Sequence, residues 1–228
     1  MVNNPHYLPA IKVCGITNVS DALVAAKAGA RYLGYVLNYS ASPRRLTAAD
    51  ALNIITAVRA SYPKVQHVGV TVDLQAATIN DLVRRLRLDV VQLHGVESIE
   101  TVQAVRAPQI WKSTIIRSAT DVDHILAYLP HVQAVHLDAG RGSGRTIAHS
   151  LLKPAMEKIS AAAMTDSAGQ SSGAAAVVLA GGIAPDNIHE FLPYRAVALD
   201  VNSGVESQPG KKDPALINRL FQNTYAYA

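Results

Sequence analysis

The feature that most constrains this chain is a regular alternation of short apolar segments with longer segments of helical periodicity. Eight short segments have the length and the β-branched, apolar composition of buried parallel strands. These predicted strands are Ile11–Cys14, Tyr32–Leu37, Val65–Val72, Val90–Leu93, Ile110–Ile115, Ala134–Leu137, Ala176–Leu179 and Ala196–Val201. The predicted helices are Ser20–Ala28, Ala48–Ala60, Ala76–Leu86, Ile99–Val105, Asp121–Tyr128, Ser150–Ala162, Pro185–Phe191 and Pro214–Tyr225.

Several helix boundaries are marked by local signals. Thr47 and Thr120 each precede a predicted helix and have an aspartate three residues further on, which resembles a capping box. Pro185 and Pro214 occupy the first helical position, where a missing N–H group costs nothing. Gly29 follows the first predicted helix as a stop signal.

Eight strand–helix units within 228 residues indicate an α/β fold of the (β/α)₈ TIM-barrel type. An open, doubly wound sheet is the alternative, since the same alternation builds both folds. The composition shows no break, so we expect a single barrel domain over residues 1–228. It would have a short N-terminal extension at 1–10 and a flexible loop near 160–175, where the sequence is small and polar.

Composition limits the class of protein. With 49% hydrophobic and 17% charged residues, the chain can bury a sizeable core and is not disordered. No apolar run approaches the roughly 18 residues of a membrane-spanning helix, and no secretory signal is recognisable. The single cysteine, Cys14, excludes an intramolecular disulfide and a cysteine-rich zinc site. We therefore expect a cytoplasmic protein with no membrane partner.

The net charge of +4 comes from 21 basic and 17 acidic residues. The basic residues are scattered, and only 5% of residues are aromatic, so a nucleic-acid partner is not expected. A small excess of positive charge suits a small anionic ligand.

Polar residues at predicted strand ends are the candidates for chemistry, because the C-terminal ends of barrel strands form the active site. Cys14 ends the first strand and Asp138 follows the sixth, so a thiol and a carboxylic acid could act as base and acid. Cys14 could equally be a small buried hydrophobe, and Asp138 could be paired or cap a loop. His94 follows the fourth strand and is either a ligand contact or a structural residue. Arg44 follows the second strand and could hold an anionic group.

Glycine-rich segments follow the last three predicted strands, and exposed backbone N–H groups at such places bind phosphate. Plain turn chemistry is the alternative explanation for any one of them. The candidate phosphate-binding residues are Gly142, Gly144, Gly181, Gly182, Ser203 and Gly204. The histidines form no HExxH pair and there is no G-x-S-x-G elbow, so no metal site or serine nucleophile is predicted.

Five segments taken together resemble the phosphoribosylanthranilate isomerase family. They run in order along essentially the whole chain: Lys12–Thr17 (KVCGIT), Gln92–Gly95 (QLHG), Leu137–Asp138, Ala180–Gly182 (AGG) and Asp200–Glu206 (DVNSGVE). The resemblance implies a (β/α)₈ barrel that uses no metal or organic cofactor. It also implies the Amadori rearrangement of N-(5-phosphoribosyl)anthranilate to 1-(2-carboxyphenylamino)-1-deoxyribulose 5-phosphate, an isomerisation of tryptophan biosynthesis.

The resemblance assigns roles to particular residues. Cys14 matches the general base, Asp138 the general acid and Arg44 the arginine that holds the anthranilate moiety. Asp200 matches an acid in the last strand motif, and the glycine segments match the phosphate cradle. Arg45 departs from the family pattern, which has tyrosine there; alternation along an extended segment would send Arg44 to the barrel mouth and Arg45 to solvent. The expected partners are a small phosphorylated substrate and, at most, a second copy of the chain (monomer or homodimer).

Two alternatives stay open on the sequence alone. The related sugar-phosphate isomerase of histidine biosynthesis usually has aspartate at the position of Cys14. A non-catalytic phosphate-binding barrel would keep the glycine segments but would need neither Cys14 nor Asp138.

Overall fold

The computed structural model describes residues 7–140, 146–164 and 176–227. Eight strands form the barrel, and each runs parallel to its neighbours. They are β1 (Ala10–Val13), β2 (Tyr32–Leu37), β3 (Gln66–Thr71), β4 (Val90–Leu93), β5 (Gln109–Ile115), β6 (Ala134–Asp138), β7 (Ala176–Ala180) and β8 (Ala198–Val201).

The ring closes at β1. Lys12 of β1 is in register with Tyr32 of β2 on one side and with Asp200 of β8 on the other. An open sheet would leave β1 and β8 unpaired with each other, so the predicted barrel is confirmed and the doubly wound alternative is excluded.

The helices pack around the outside of this ring. They are α1 (Val19–Ala28), α2 (Ala48–Ser61), α3 (Ala76–Leu86), α4 (Ile99–Ala104), α5 (Ala119–Leu126), α6 (His149–Met164) and α7 (Pro214–Ala226). Within the described part of the chain, none of them combines the length and apolarity that crossing a membrane requires.

The core has two parts because side chains alternate between the faces of each strand. Outward-facing residues such as Leu33 and Leu199 join the helices in one large apolar cluster. Inside the ring, a smaller cluster fills the end of the barrel where the strands begin; its buried members are Val68, Val90, Trp111, Ala134, Val178 and Ala198. Two residues further along, five of the eight strands carry buried polar side chains inside the ring: Lys12, Gln92, Ser113, His136 and Asp200.

Two helix starts differ in their caps. Thr47 caps α2 as predicted, with its side-chain oxygen accepting from the backbone N–H of Asp50 at 3.2 Å. The prediction for Thr120 is wrong, because α5 already begins at Ala119 and the capping box is formed by Ser118 and Asp121. Ser118 therefore caps the helix two residues earlier than the predicted cap, Thr120.

The helix predicted over 185–191 is also wrong. The chain there forms two short 3₁₀ turns, Ile188–Glu190 and Leu192–Tyr194. The Asn187 side chain accepts from the Ala184 N–H and donates to the Gly182 carbonyl, which fixes the start of this segment. The backbone N–H groups of Asn187 and Glu190 then donate to carbonyls three residues back, which is the spacing of a 3₁₀ turn and not of an α-helix. Pro193 lacks the N–H with which a longer helix would continue.

The flexible loop predicted near 160–175 is wrong for its first five residues. Helix α6 continues through them to Met164, because the alanines at 161–163 favour helix more strongly than their small size suggested. Residues 165–175 lie outside the described residues. Ala10, predicted to end the N-terminal extension, is the first residue of β1.

Two short elements at the barrel mouth were not predicted. Arg45–Leu46 pairs with the end of β2, and a hairpin joins Glu206–Gln208 to Lys211–Lys212. The hairpin turns at Gly210, whose φ of 82° is in the left-handed region. The preceding Pro209 makes a Pro–Gly pair, which was a readable turn signal.

Candidate active site

A cavity of about 270 Å³ opens at the C-terminal ends of the barrel strands. Parallel strands all end on this side, so strand-end residues that are far apart in sequence converge there. Eight of the predicted site residues line it: Cys14, Arg44, His94, Asp138, Gly181, Gly182, Asp200 and Ser203. Gly142 and Gly144 lie outside the described residues.

Cys14 faces the cavity from the end of β1. Its backbone N–H donates to the Val201 carbonyl at 2.8 Å, which ties the thiol's position to β8. On the other side, a Cβ at position 34 would lie 2.7 Å from the Cys14 sulfur, so only glycine there leaves room for the thiol. The hydrogen bond to β8 and the glycine at position 34 together define the space that the Cys14 sulfur occupies.

A buried charge network lies directly beside this thiol. Lys12 Nζ is 2.6 Å from Asp200 Oδ2, and His136 Nε2 is 2.8 Å from the same oxygen. Burial alone would raise the pKa of Asp200, but Lys12 and His136 outweigh it and hold that pKa well below the usual range. The pKa of Lys12 is raised, because Asp200 and Cys14 outweigh the effect of burial. Lys12 and Asp200 are therefore a charged pair at neutral pH.

The Cys14 thiol responds to both charges. Burial raises its pKa, Asp200 raises it further, and Lys12 lowers it by charge and by a side-chain hydrogen bond. Both side chains lie over Gly34, where a Cβ would be 2.7 Å from the Cys14 sulfur and 3.1 Å from Lys12 Cε.

Asp138 faces the same cavity from the end of β6. Its Oδ1 accepts from the Gly140 N–H at 2.9 Å, and its Oδ2 lies 3.6 Å from His94 Nε2. The Nδ1 atom of His94 lies 3.1 Å from the amide nitrogen of Gln92. His94 thus lies between Gln92 on one side and the Asp138 carboxyl group on the other.

Arg44 reaches the cavity from the segment after β2. Its Nε and Nη2 atoms donate to the two carboxylate oxygens of Glu206, at 2.8 and 2.6 Å. Lys212 Nζ lies 3.0 Å from Glu206 as well, so two cations share one carboxylate at the barrel mouth. Arg45 points away and donates to the Ser40 carbonyl, so only Arg44 lines the cavity.

The segments after β7 and β8 form a second wall of the cavity. Gly181 and Gly182 have φ values of 95° and 63°, a left-handed conformation that favours glycine. Gly204 does not line the cavity; a Cβ there would overlap the Ile183 carbonyl oxygen, so Gly204 lets the two segments pack against each other.

Residues 11–223 match the family model of N-(5'-phosphoribosyl)anthranilate (PRA) isomerase. This chain belongs to the PRA isomerase family. The family isomerises PRA in tryptophan biosynthesis, so the activity expected from the sequence is confirmed and the chain is an isomerase.

Individual PRA isomerases are similar over nearly the whole chain. The enzyme of Geobacter sulfurreducens is 35% identical over 216 residues, which cover 93% of this chain and 96% of that protein. The crystal structure of mutually generated monomers of the dimeric enzyme from Thermotoga maritima has a TM-score of 0.78 at 31% identity and covers 96% of this chain and 99% of that one. A PRA isomerase in complex with reduced 1-(o-carboxyphenylamino)-1-deoxyribulose 5-phosphate has a TM-score of 0.79 at 31% identity, covering 96% and 100%.

Sequence reasoning missed several polar residues of this PRA isomerase. Gln92, Ser113 and His136 are buried inside the barrel, and Glu206 and Lys212 are buried at its mouth. A polar residue within an apolar strand is costly to bury unless it is hydrogen-bonded, and this was the signal that could have found the first three.

Proposed function

We propose that Cys14 is the general base and Asp138 the general acid of this PRA isomerase. The proposal is carried by one observation: the Cys14 thiol, which lies beside buried Lys12, and the Asp138 carboxyl group face the same cavity from different strands. An Amadori rearrangement needs one group to give a proton and another to remove one.

In the first step, protonated Asp138 gives its proton to the furanose ring oxygen of the substrate. The C1–O bond breaks, and the nitrogen lone pair forms a double bond to C1, which leaves a protonated Schiff base. His94, 3.6 Å from Asp138, is placed to stabilise the carboxylate that this step creates.

In the second step, the Cys14 thiolate takes the proton from C2. The C–H electron pair forms the C1–C2 double bond, and the C1–N electrons return to nitrogen, so an enolamine results. The enol then loses its O–H proton while C1 gains one, which gives the ketone.

This order of steps fits the charges around Cys14. Burial and Asp200 raise the pKa of the thiol and Lys12 lowers it, so the thiolate is a minor form at neutral pH. The Schiff base brings a positive charge close to the thiol, and an opposite charge nearby favours the ionised form. The first step therefore increases the fraction of Cys14 thiolate that the second step needs.

Binding is proposed to use both walls of the cavity. Arg44 has five N–H groups and gives two of them to Glu206, so three remain for the anthranilate carboxylate. Backbone N–H groups of Gly181, Gly182 and Ser203 would hold the phosphate, supported by the left-handed glycine conformations. Asp200 acts on the substrate through Lys12 and Cys14. Gly142, Gly144 and Gly204 are assigned to the phosphate cradle from the sequence alone.

The experiment is turnover of freshly prepared PRA, followed by the loss of its fluorescence, in Cys14→Ala and Asp138→Asn. Each variant should lose at least the ~10²–10⁴-fold that one proton-transfer group typically contributes to kcat. Binding of a product analogue should persist, since both variants keep the cavity.

Cys14→Ser is the matched control, because it keeps a hydrogen-bonding group of similar size whose proton is far harder to remove. It should be nearly as slow as Cys14→Ala. A kcat close to that of the unmodified enzyme in folded Cys14→Ala protein would show that the thiol is not the base.

A homodimer and a cytoplasmic location are part of the same proposal. The dimeric Thermotoga maritima relative supports the former, and a single cysteine suits a reducing compartment. Light scattering of the purified chain measures its oligomeric state.

A further inference from the structure

A buried chain of hydrogen bonds runs through the barrel along the inner end of the cavity, which four of its five members line. The amide nitrogen of Gln92 lies 3.1 Å from His94 Nδ1 and 3.1 Å from Ser113 Oγ. Ser113 Oγ lies 3.0 Å from His136 Nδ1, and His136 Nε2 lies 2.8 Å from Asp200 Oδ2. The chain therefore joins β4, β5, β6 and β8 and ends on the carboxylate that Lys12 contacts.

The direction of each hydrogen bond in this chain follows from its ends. Ionised Asp200 can only accept, so His136 Nε2 must carry a proton and donate it. The amide nitrogen of Gln92 can only donate, so Ser113 accepts from Gln92 and gives its own proton to His136 Nδ1. His136 is thereby held as the neutral tautomer with its proton on Nε2.

The reversed orientation of the Gln92 amide is unfavourable for a reason of charge. It would need a proton on both nitrogens of His136, which would place two buried cations, Lys12 and His136, on the single carboxylate of Asp200. The orientation with nitrogen towards Ser113 keeps one buried cation for one buried anion.

Asp200 depends on this chain for its position. Within the described residues, its Oδ1 atom is buried without a hydrogen-bond partner, so Oδ2 receives the hydrogen bonds of both Lys12 and His136. Loss of His136 would leave the carboxylate held by Lys12 alone.

We propose that Ser113 and His136, aligned by Gln92, are positioning residues that hold the Asp200–Lys12 pair beside the base thiol. The inference rests on the proposed role of Cys14, and it adds a function for three buried residues, two of which, Gln92 and His136, also line the cavity. Hydrogen bonds to a group that itself touches a reacting residue fix the tautomer and orientation of that group.

The charged groups that face Cys14 determine whether its pKa rises or falls when His136 is replaced. Lys12 on β1, Lys212 in the hairpin and Arg44 after β2 carry positive charge, and Asp200 on β8 carries negative charge. Without the His136 donor, the negative charge of Asp200 is less compensated and acts more strongly on the thiol. The pKa of Cys14 should then rise.

Alkylation of the single cysteine by iodoacetamide measures this directly, since the rate follows the fraction of thiolate. We expect the midpoint of the rate–pH profile to move upward in His136→Leu by about one pH unit, a tenfold smaller thiolate fraction at neutral pH. Ser113→Ala should move it in the same direction by less. His136→Gln should restore most of the midpoint, because its amide nitrogen can replace Nε2 as the donor.

Turnover gives the second readout. In His136→Leu, kcat should fall by roughly tenfold with KM within about twofold, as expected for a residue that acts on the chemical step and not on binding. His124→Leu is the matched control, since His124 is exposed on α5. It should change neither the alkylation midpoint nor kcat.

An unchanged alkylation midpoint in folded His136→Leu and Ser113→Ala would overturn the inference, whatever their turnover. If His136→Leu does not fold, Ser113→Ala decides by the same midpoint. Failure of the proposed function looks different: Cys14→Ala would remain active, although the thiol midpoint could still respond to His136.

Discussion

At the scale of single residues, the bidentate ion pair of Arg44 and Glu206 places one positive and one negative charge at the mouth of the cavity. Glu206 orients the guanidinium through hydrogen bonds to two of its nitrogens. The pKa of Glu206 is lowered, because hydrogen bonds from Arg44 and the charge of Lys212 outweigh the effect of burial. Glu206 thus stays ionised, and in the proposed function the remaining donors of Arg44 bind the substrate.

Arg44→Lys should raise KM by tenfold or more, which corresponds to about 1.4 kcal/mol. A lysine keeps the charge but cannot donate to two carboxylates in the planar geometry of guanidinium. Steady-state kinetics with PRA measure the effect, and the matched control is Arg45→Lys, which should change little because Arg45 lies outside the cavity. A larger rise of KM in Arg45→Lys would assign carboxylate binding to Arg45.

At the scale of elements, the segments after β7 and β8 act as a unit because Gly204 allows them to touch. Gly204→Ala places a methyl group against the Ile183 carbonyl and must push these segments apart. Overpacking of this kind typically costs about 1–3 kcal/mol.

Inorganic phosphate at millimolar concentration should raise the melting temperature of the unmodified chain, since a ligand of the folded state stabilises it. Gly204→Ala should lower the melting temperature and also reduce the increment that phosphate produces. Gly29→Ala is the control: it disturbs a left-handed glycine between the end of α1 and the start of β2, away from the strand ends that form the cavity, and should lower the melting temperature with the full phosphate increment kept. An undiminished increment in Gly204→Ala would separate phosphate binding from these segments.

At the scale of the whole molecule, the free energy of unfolding in acid depends on His67, which lies outside the lining of the cavity. His67 is buried, and its Nδ1 atom lies 2.9 Å from the Tyr35 hydroxyl. Burial, aided by Arg59, lowers the pKa of His67 to about 4. The folded chain therefore keeps His67 neutral at a pH where the unfolded chain already binds a proton.

The sign of the pH effect follows from that difference. Between pH 6.5 and pH 4 the unfolded state binds more protons, so the free energy of unfolding decreases as the pH falls, by up to about 3 kcal/mol. Urea denaturation between pH 8 and pH 4 measures the slope, and His67→Gln should flatten it. The depressed pKa of Asp200 contributes only at lower pH, below about 4, so the two effects occupy different windows. An equal slope in His67→Gln would assign the acid lability to other groups.

The sequence by itself determined the order and kind of most elements, because strand and helix periodicities are local properties. It also placed Cys14, Asp138, Arg44 and His94 at strand ends, and in a parallel barrel every strand ends at the same rim. Errors arose where a helical pattern formed hydrogen bonds of a different spacing, as at Asn187 and Glu190, whose N–H groups donate to carbonyls three residues back.

Tertiary structure alone decided which polar groups meet. Lys12 and Asp200 are 188 positions apart in sequence and become neighbours only because β8 closes on β1. The register of the neighbouring strands β4, β5 and β6 aligns Gln92, Ser113 and His136, and the segment after β8 brings Glu206 to Arg44. Periodicity gives the face on which a side chain lies, but hydrogen-bond partners depend on distances of a few ångströms, which are set by strand register and ring closure.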